Sequence, residues 1–432
     1  MDIKALSTES FARFDLHRVP SPCFVVDEVA VERNLTILKQ VADASGANVL
    51  LALKAFSMFA VAPLVRRYLS GTCASGLYEA RLAREEFGGE VTTYSAGFKA
   101  ADLPEIIRLS DHLIFNSPAQ HRRFAPLIDE ARSGGETVSI GLRVNPEHSE
   151  GWNEKYDPTA PCSRLGTPVS QLSDQDWEGV EGLHMHTLCE QGFAPLQRTF
   201  AALEEKMGAR LASLKWINLG GGHHITLPDY DRDGLIALIR HIRKTYDVEV
   251  FIEPGEAVAL HSGILVGEIL DVAENAMPLA ITDISATCHM PDVIEAPYRP
   301  DLLGEVSDVP PHRLGGPSCL ACDVIGDYGF ASVNASTAIL RRDVGDDSQR
   351  VSVGADWSTY KILPGGFTFE PFAELRGDYY QLDQRGIEDD NASRLVGNAG
   401  TRIAYPMIRP GKTVDIMLEP EVMAAWGTSN SN

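Results

Sequence analysis

Four kinds of residue that take part in amine chemistry occur in order along this chain. Lys54 ends an apolar run, NVLLALK, and His186 lies in the stretch LHMHTLCEQ. Gly220, Gly221 and Gly222 follow KWINL, and Glu253 ends another apolar run, EVFIE. A neutral lysine amine forms an imine with a carbonyl group, and backbone without side chains can surround a phosphate. An imidazole can stack on an aromatic ring, and a carboxylate can hold the proton of a pyridinium nitrogen.

Each of these residues also has a purely structural explanation. A lysine after an apolar run can extend to the rim of a fold and cover only its methylene stem. Glu253 can cap the turn that follows it, and His186 can be a hydrogen-bonded core histidine. Because a buried, unpaired ammonium is costly, the apolar setting of Lys54 favours a reactive amine. Together the four describe a pyridoxal 5'-phosphate site.

Short β-type runs alternate with amphipathic segments over the first part of the chain. Most of these runs are separated by segments whose apolar residues recur at helical spacing, such as 77–87, 117–132, 195–207 and 231–246. Strands interleaved with helices predict an α/β fold with a parallel sheet, and eight of them predict a (β/α)8 TIM-type barrel over residues 25–265. The eight predicted strands are 48–54, 71–75, 91–96, 112–116, 137–144, 180–187, 215–220 and 249–254.

Polar or glycine residues stand at six of these strand ends. Lys54, His186, the three glycines and Glu253 stand at the ends of the first, sixth, seventh and eighth predicted strands. Asn116 ends the fourth, and Arg143 and Asn145 end the fifth. Ligands bind a TIM barrel at the carboxyl ends of its strands, and phosphate commonly binds after the seventh and eighth. From residue 266 onward, short β-type runs broken by Gly, Pro and Asp predict an antiparallel β domain, to which residues 1–24 are also assigned.

Composition restricts the class of protein further. The 432 residues carry 60 acidic and 38 basic side chains, a formal charge of −22, which disfavours binding to nucleic acid and favours a cationic substrate. No apolar run approaches a membrane span, and the N-terminus lacks the features of a secretory signal, so a cytoplasmic protein is expected. Seven irregularly spaced cysteines fit reduced thiols better than a disulfide framework.

Longer segments of the chain resemble a known family, the fold type III (alanine racemase-like) pyridoxal-phosphate decarboxylases. Within it, the similarity is greatest to the carboxynorspermidine/carboxyspermidine decarboxylase branch, and the matching segments cover most of residues 20–330. They are LLALKAFS, SGLYEARLAREEFGGEV, FNSPAQ, LRVNPE, SRLG, LHMHTLCEQGF, LKWINLGGGHHIT, VFIEPGEAV, SATCHMPDVIEAPYRP and RLGGPSCLACDVIGDYGF.

The resemblance implies a role for each site residue and a homodimer with shared active sites. Cys319 of one subunit would protonate the substrate carbon in the other subunit's barrel after CO2 leaves, and Asp323 would lie beside it and contact substrate. The implied cofactor contacts are an imine to Lys54, ring stacking by His186, phosphate binding by Gly220, Gly221 and Gly222, a ring-nitrogen contact from Glu253, and Arg143 nearby on strand 5.

Acidic residues favour a polyamine as the substrate. The chain reads EPGE where other members of the superfamily read EPGR, so Glu256 stands where an arginine would meet an anion. A carboxylate at this position favours a cationic tail. Asp292 and Glu295, in MPDVIEAP, could extend an anionic channel, and ordinary surface charge explains both equally well.

Two features depart from the branch. Cys322 replaces the usual glycine and forms a CxxC with Cys319, although no second pair accompanies it to suggest zinc. The closing segment of the branch, with its phosphate-binding tyrosine, is not found after Ala331, and Tyr360 in DWSTYK is the best substitute.

Three other functions remain open. A decarboxylase of diaminopimelate or another amino acid is the nearest alternative. A non-catalytic homologue is disfavoured because both Lys54 and Cys319 are present. A metal-dependent hydrolase using His223 and His224 is disfavoured because other strand ends lack paired ligands, so no metal is expected.

Overall fold

The chain divides into two compact units. The first comprises Met1–Phe14 and Phe24–Ile264, and the second Asp15–Cys23 and Leu265–Asn432. The prediction assigned all of 1–24 to the β domain, but Phe11 and Phe14 belong to the first unit, where the Phe11 side chain is buried. The computed structural model describes residues 11–12, 14–151, 156–275, 277–295, 298–303, 312–325, 330–340, 347–358, 361–363, 367–383, 390–405, 407–409, 416–418 and 420–431.

Eight parallel strands form the barrel of the first unit. Their order in the sheet is β4-β3-β2-β1-β8-β7-β6-β5, and β4 also pairs with β5, so the sheet closes on itself. The predicted (β/α)8 barrel is therefore confirmed. The strands are β1 (Asn48–Ala52), β2 (Gly71–Ala74), β3 (Glu90–Ser95), β4 (His112–Phe115), β5 (Ser139–Asn145), β6 (Gly182–His184), β7 (Trp216–Asn218) and β8 (Glu249–Ile252).

Helices follow or precede these strands, and local capping sets their ends. Asp27 accepts hydrogen bonds from the N–H groups of Val29 and Ala30 at the start of α1, and Gly46 ends that helix with a left-handed φ of 78°. At the start of α5, Ser117 likewise accepts a hydrogen bond from the Gln120 N–H, and Pro118 is the first helical residue. The helices of this unit are α1 (Glu28–Ser45), α2 (Ala62–Val65), α3 (Leu77–Leu82), α4 (Leu103–Leu109), α5 (Pro118–Ser133), α6 (Phe193–Leu211), α7 (Arg232–Tyr246) and α8 (Glu256–Ala259).

A small apolar cluster fills the barrel interior. Leu50, Ile114, Trp216 and Phe251 pack together, and each is at most 3 % exposed. Leu50 on β1 and Ile114 on β4 are not on neighbouring strands, so their shared cluster must lie inside the barrel rather than between sheet and helices. The larger core lies between the sheet and the surrounding helices.

The second unit consists mainly of antiparallel sheets. Its four-stranded sheet runs β9 (Ile269–Glu274), β10 (Pro278–Thr282), β11 (Arg313–Gly315) and β12 (Val324–Ile325), and only β10 and β11 are parallel. Residues 316–323 form the loop between the paired strands β11 and β12. Two short helices, α9 (Ala286–His289) and α10 (Pro291–Glu295), lie between β10 and β11 in the chain.

Long strands make up the rest of this unit. A six-stranded antiparallel sheet contains β13 (Phe330–Leu340), β14 (Asp347–Ser358), β15 (Lys361–Leu363), β16 (Phe367–Asp383), β17 (Asp390–Ala404) and β20 (Glu421–Ser431). A separate pair contains β18 (Met407–Arg409) and β19 (Ile416–Leu418). No helix in the described ranges is long and apolar enough to cross a membrane.

Candidate active site

Lys54 follows the first barrel strand and does not belong to it. The strand ends at Ala52, whose carbonyl accepts hydrogen bonds from the N–H groups of Ala55 and Phe56, and the turn they form exposes Lys54. The prediction that Lys54 is buried at the end of an apolar strand is therefore wrong. The positive charge of Lys54 nevertheless acts on Glu253 and His186, which places it at the carboxyl end of the barrel.

Glu253 directly follows β8 and is 9 % exposed. Its Oε1 accepts a hydrogen bond from Asn218 Nδ2 at 2.7 Å, and its Oε2 lies 3.3 Å from His184 Nε2. Burial opposes ionisation, but the contacts with His184 and Asn218 and the charge of Lys54 lower the pKa of the Glu253 carboxyl group to about 2. Glu253 is thus a buried carboxylate rather than the turn cap considered as its alternative.

His184 and Asn218 are site residues that the sequence analysis missed. Burial lowers the pKa of His184, so its neutral ring donates from Nε2 to Glu253. Its Nδ1 has no hydrogen-bond partner among the described residues. A signal for both was present in the sequence, since LHMH places two histidines on one side of an extended segment and WIN places an amide in an apolar strand.

The ring of His186 is fixed by the glycine loop. Gly221 donates its backbone N–H to His186 Nδ1 at 2.9 Å, so the proton of the neutral ring must be on Nε2. Burial and the charges of Lys54 and Arg143 hold the pKa of His186 well below its usual range. The ring therefore stays neutral and lies nearly parallel to His184, with 11° between the ring planes.

The three glycines pack against neighbouring backbone. A Cβ on Gly221 would lie 2.0 Å from the Glu253 carbonyl oxygen, and one on Gly222 would lie 1.9 Å from the Leu188 carbonyl oxygen. Gly220 donates its N–H to Asn218 Oδ1 at 2.9 Å, and the Gly221 N–H is taken by His186. Of the three amides, only that of Gly222 has no acceptor in the described part of the chain.

Arg143 lies on β5 within this network and is 3 % exposed. Its Nη2 donates to the backbone carbonyl of His186 at 2.8 Å, and its guanidinium lies 4.6 Å from the centre of the Tyr94 ring. Tyr94 in turn donates to Asn116 Oδ1 at 2.7 Å. Arg143 therefore connects the ends of β3, β5 and β6, which explains why polar residues recur at these strand ends.

Two adjacent histidines after the glycines have different partners. His224 Nε2 lies 2.8 Å from Glu256 Oε2, and this contact raises the pKa of His224 against the opposing effect of burial. His223 Nδ1 lies 2.6 Å from the Tyr230 hydroxyl, and burial lowers the pKa of His223 to about 4. Within the described ranges, no three His, Cys, Asp or Glu residues are grouped closely enough to hold a metal ion.

The second unit holds the other predicted site residues. Cys319 and Cys322 are free, exposed thiols on the 316–323 loop. Asp323 ends that loop, is 4 % exposed, and accepts hydrogen bonds from Ser285 and Ala286. Asp292 is exposed and accepts a hydrogen bond from the Tyr298 hydroxyl at 2.8 Å. Glu295 ends α10, but its side chain lies outside the described part of the structure, as does Tyr360.

The groups at the carboxyl end of the barrel fit pyridoxal phosphate. They supply an accessible amine, a buried carboxylate and a neutral imidazole, and the Gly222 amide is available to an anion. A (β/α)8 barrel with this set of groups, joined to a β unit that carries a cysteine loop, defines the fold type III decarboxylases. That class is generally dependent on pyridoxal phosphate.

Comparison with known proteins identifies the branch. The chain is 38 % identical over 327 residues to the carboxynorspermidine/carboxyspermidine decarboxylase of Campylobacter jejuni, covering 72 % of this chain and 84 % of the relative. It is 39 % identical over 321 residues to the carboxyaminopropylagmatine decarboxylase of Synechocystis, covering 73 % and 81 %. The chain belongs to the carboxynorspermidine/carboxyspermidine decarboxylase family.

Solved structures agree with this assignment. The crystal structure of the Campylobacter jejuni carboxynorspermidine decarboxylase complexed with norspermidine matches with a TM-score of 0.63 and 37 % identity, covering 71 % of this chain and 83 % of that one. A diaminopimelate decarboxylase from Helicobacter pylori matches with a TM-score of 0.61 at 16 % identity, covering 72 % and 82 %, which shows a shared fold alone.

A different family matches the C-terminal part. The family model described as "LptD: LPS transport system D" matches residues 324–431. The matched segment includes Ala331, where the sequence analysis placed the departure from the decarboxylase branch. The match concerns this quarter of the chain and leaves the barrel assignment unchanged.

Proposed function

We propose that this chain is a pyridoxal-phosphate-dependent decarboxylase that removes CO2 from carboxynorspermidine or carboxyspermidine and yields norspermidine or spermidine. The observation that carries the proposal is the buried Glu253 carboxylate, kept ionised at the same end of the barrel as Lys54. The family membership and the norspermidine complex of the Campylobacter jejuni relative support a polyamine substrate.

The cofactor, when bound, supplies an electron-withdrawing ring that accepts the electron pair of the breaking Cα–CO2 bond. Lys54 would hold the cofactor through its amine, and Glu253 would keep a proton on the ring nitrogen. His186 presents a neutral ring whose orientation the Gly221 amide fixes. The Gly222 N–H would bind phosphate, whereas the Gly220 and Gly221 amides serve mainly to orient Asn218 and His186.

Substrate recognition would depend on carboxylates. Glu256 is half exposed, and its contact with His224 engages Oε2, so that Oε1 can accept from a substrate ammonium group. Asp292, which is exposed, and Glu295 would add negative charge along the polyamine tail.

Cys319 would return a proton from Sγ to the substrate carbon. We place this step in a homodimer in which Cys319 of one subunit serves the barrel of the other. Mixing Lys54→Ala and Cys319→Ala chains, each with little activity alone, should then restore about a quarter of the wild-type activity. If activity does not recover after verified subunit exchange, the shared site is contradicted.

A cytoplasmic location is part of the same proposal.

The proposal is tested by measuring cofactor and substrate together. The purified protein should absorb at about 420 nm, and Lys54→Ala should remove that band. CO2 release is then measured separately with carboxynorspermidine, carboxyspermidine and diaminopimelate. Turnover of a carboxypolyamine is the expected result. Turnover of diaminopimelate alone would move the chain to the neighbouring branch, and a colourless wild-type protein would overturn the cofactor assignment.

A further inference from the structure

The Asp323 carboxylate has hydrogen-bond partners on both of its oxygens. Oδ1 accepts from the Ala286 N–H at 2.7 Å, and Oδ2 accepts from the Ser285 hydroxyl at 3.0 Å and the Ser318 N–H at 3.2 Å. The residue is 4 % exposed, so these donors surround it rather than solvent. Burial opposes ionisation, but these hydrogen bonds lower the pKa of the Asp323 carboxyl group.

The backbone of Asp323 closes the same loop. Its carbonyl accepts from the Gly316 N–H at 2.8 Å, and its own N–H donates to the Leu320 carbonyl at 3.0 Å. The 316–323 loop, which carries Cys319, is therefore joined at its two ends. Gly316 permits this approach, because a Cβ there would lie 2.3 Å from Asp323 Oδ2.

The Asp323 carboxylate also joins this loop to a second segment. Ser285 and Ala286 begin α9, which leads directly into α10 and Asp292. One carboxylate thus sets the position of the cysteine loop relative to the segment that carries a predicted substrate contact. With three donors on its oxygens and 4 % exposure, the Asp323 carboxylate is poorly accessible to a substrate ammonium group.

We infer that Asp323 is a positioning residue that holds the Cys319 loop against the start of α9, rather than a direct substrate contact. This inference rests on the proposed function only for the role of Cys319. The anchoring of the loop is a property of the second unit alone and can be measured without turnover.

Hydrogen–deuterium exchange of the full chain tests the anchoring. Asp323→Asn keeps the size of the side chain but turns an amide donor toward the Ser318 or Ala286 N–H. Peptides covering 285–290 and 316–325 should then exchange at least about 10-fold faster, with barrel peptides unchanged. Ser285→Ala removes one donor and should give a smaller increase in the same peptides. Asp271→Asn, an exposed change on β9, should leave both peptides unchanged. Unaltered exchange in Asp323→Asn would overturn the inference.

Kinetics separates positioning from substrate contact. With a carboxypolyamine substrate, Asp323→Asn should lower kcat by about 10- to 100-fold and leave KM within about twofold. In a Cys319→Ala background the same change should have no further effect on kcat, because the loop would then carry no proton donor. A raised KM with kcat retained would show a direct substrate contact and overturn the inference. If wild-type protein turns over none of the tested substrates, the proposed function fails while the exchange result still decides the anchoring.

Discussion

Asn218 donates a hydrogen bond from Nδ2 to Glu253 Oε1 at 2.7 Å, and this contact links the ends of two neighbouring barrel strands. Removing the amide with Asn218→Ala leaves a buried carboxylate with one donor fewer. We expect a loss of about 2–3 kcal/mol in the free energy of unfolding, measured by urea denaturation near neutral pH. Gln171→Ala, at an exposed amide, is the control and should change stability by less than about 0.5 kcal/mol.

The stability lost in Asn218→Ala should depend on pH. The folded-state pKa of Glu253 is depressed, so its ionisation stabilises the fold above the unfolded pKa, and this contribution is lost as pH falls toward the folded value of about 2. The difference between wild type and variant should therefore shrink between about pH 5 and pH 2. A difference that is constant over this range would mean that Asn218 does not act through the charge of Glu253.

Gly221→Ala should destabilise the barrel through a steric clash. The added Cβ would lie 2.0 Å from the Glu253 carbonyl oxygen, which is backbone and cannot rotate away. We expect a cost of about 3 kcal/mol in thermal or urea unfolding. Gly192→Ala is the matched control, since a Cβ there meets nothing within 4 Å and its φ is −87°. Equal stability of the two variants would rule out the close contact.

The neighbouring histidines 223 and 224 should titrate on opposite sides of the usual histidine range. Burial lowers the pKa of His223 to about 4, whereas the contact with Glu256 raises that of His224. Histidine-selective isotope labelling and NMR titration can follow both rings, with His223→Gln and His224→Gln used to assign the signals. A His223 ring that titrates near pH 6.5, the ordinary value for histidine, would contradict its burial.

Glu256→Gln should reduce stability only below the pKa of His224. A raised folded-state pKa contributes stability that is fully present below the unfolded pKa and is lost as pH rises through the folded value. Because Glu256 is half exposed, we expect a loss of under about 1 kcal/mol near pH 5.5 and none near pH 9. Glu249→Gln, at an exposed carboxylate, serves as the control. A loss of stability that grows as pH rises would contradict the raised pKa of His224.

The barrel was predictable because its strands are short apolar runs separated by helical spacing. The prediction of 249–254 for β8, for example, differs from Glu249–Ile252 only at its end. The exposure of Lys54 was not predictable in this way, because hydrophobicity shows which run is buried but not where the strand gives way to a turn. His184 and Asn218 were missed for a related reason. They are the last residues of β6 and β7, two positions before His186 and Gly220, which the longer predicted strands placed at the strand ends, and they contact the Glu253 carboxylate.

The strand pairing of the C-terminal part could not be predicted from sequence motifs. The absence of the expected closing segment after Ala331 could be recognised from sequence, and the family match to residues 324–431 agrees that this part has a different character. The long pairings from Phe330 to Ser431 could not be derived, because antiparallel register depends on contacts between residues far apart in the chain.

The tight backbone contacts of the glycine loop mean that positions at the carboxyl end of the barrel differ in how well they tolerate substitution. A mutagenesis library that randomises Gly221 or Gly222 would consist mostly of misfolded protein, since any larger side chain meets a neighbouring carbonyl oxygen. Glu256 lies close by in the chain and is half exposed, so it tolerates variation without repacking the core. Libraries screened for activity on new amines should therefore randomise Glu256 and keep Gly221 and Gly222 unchanged.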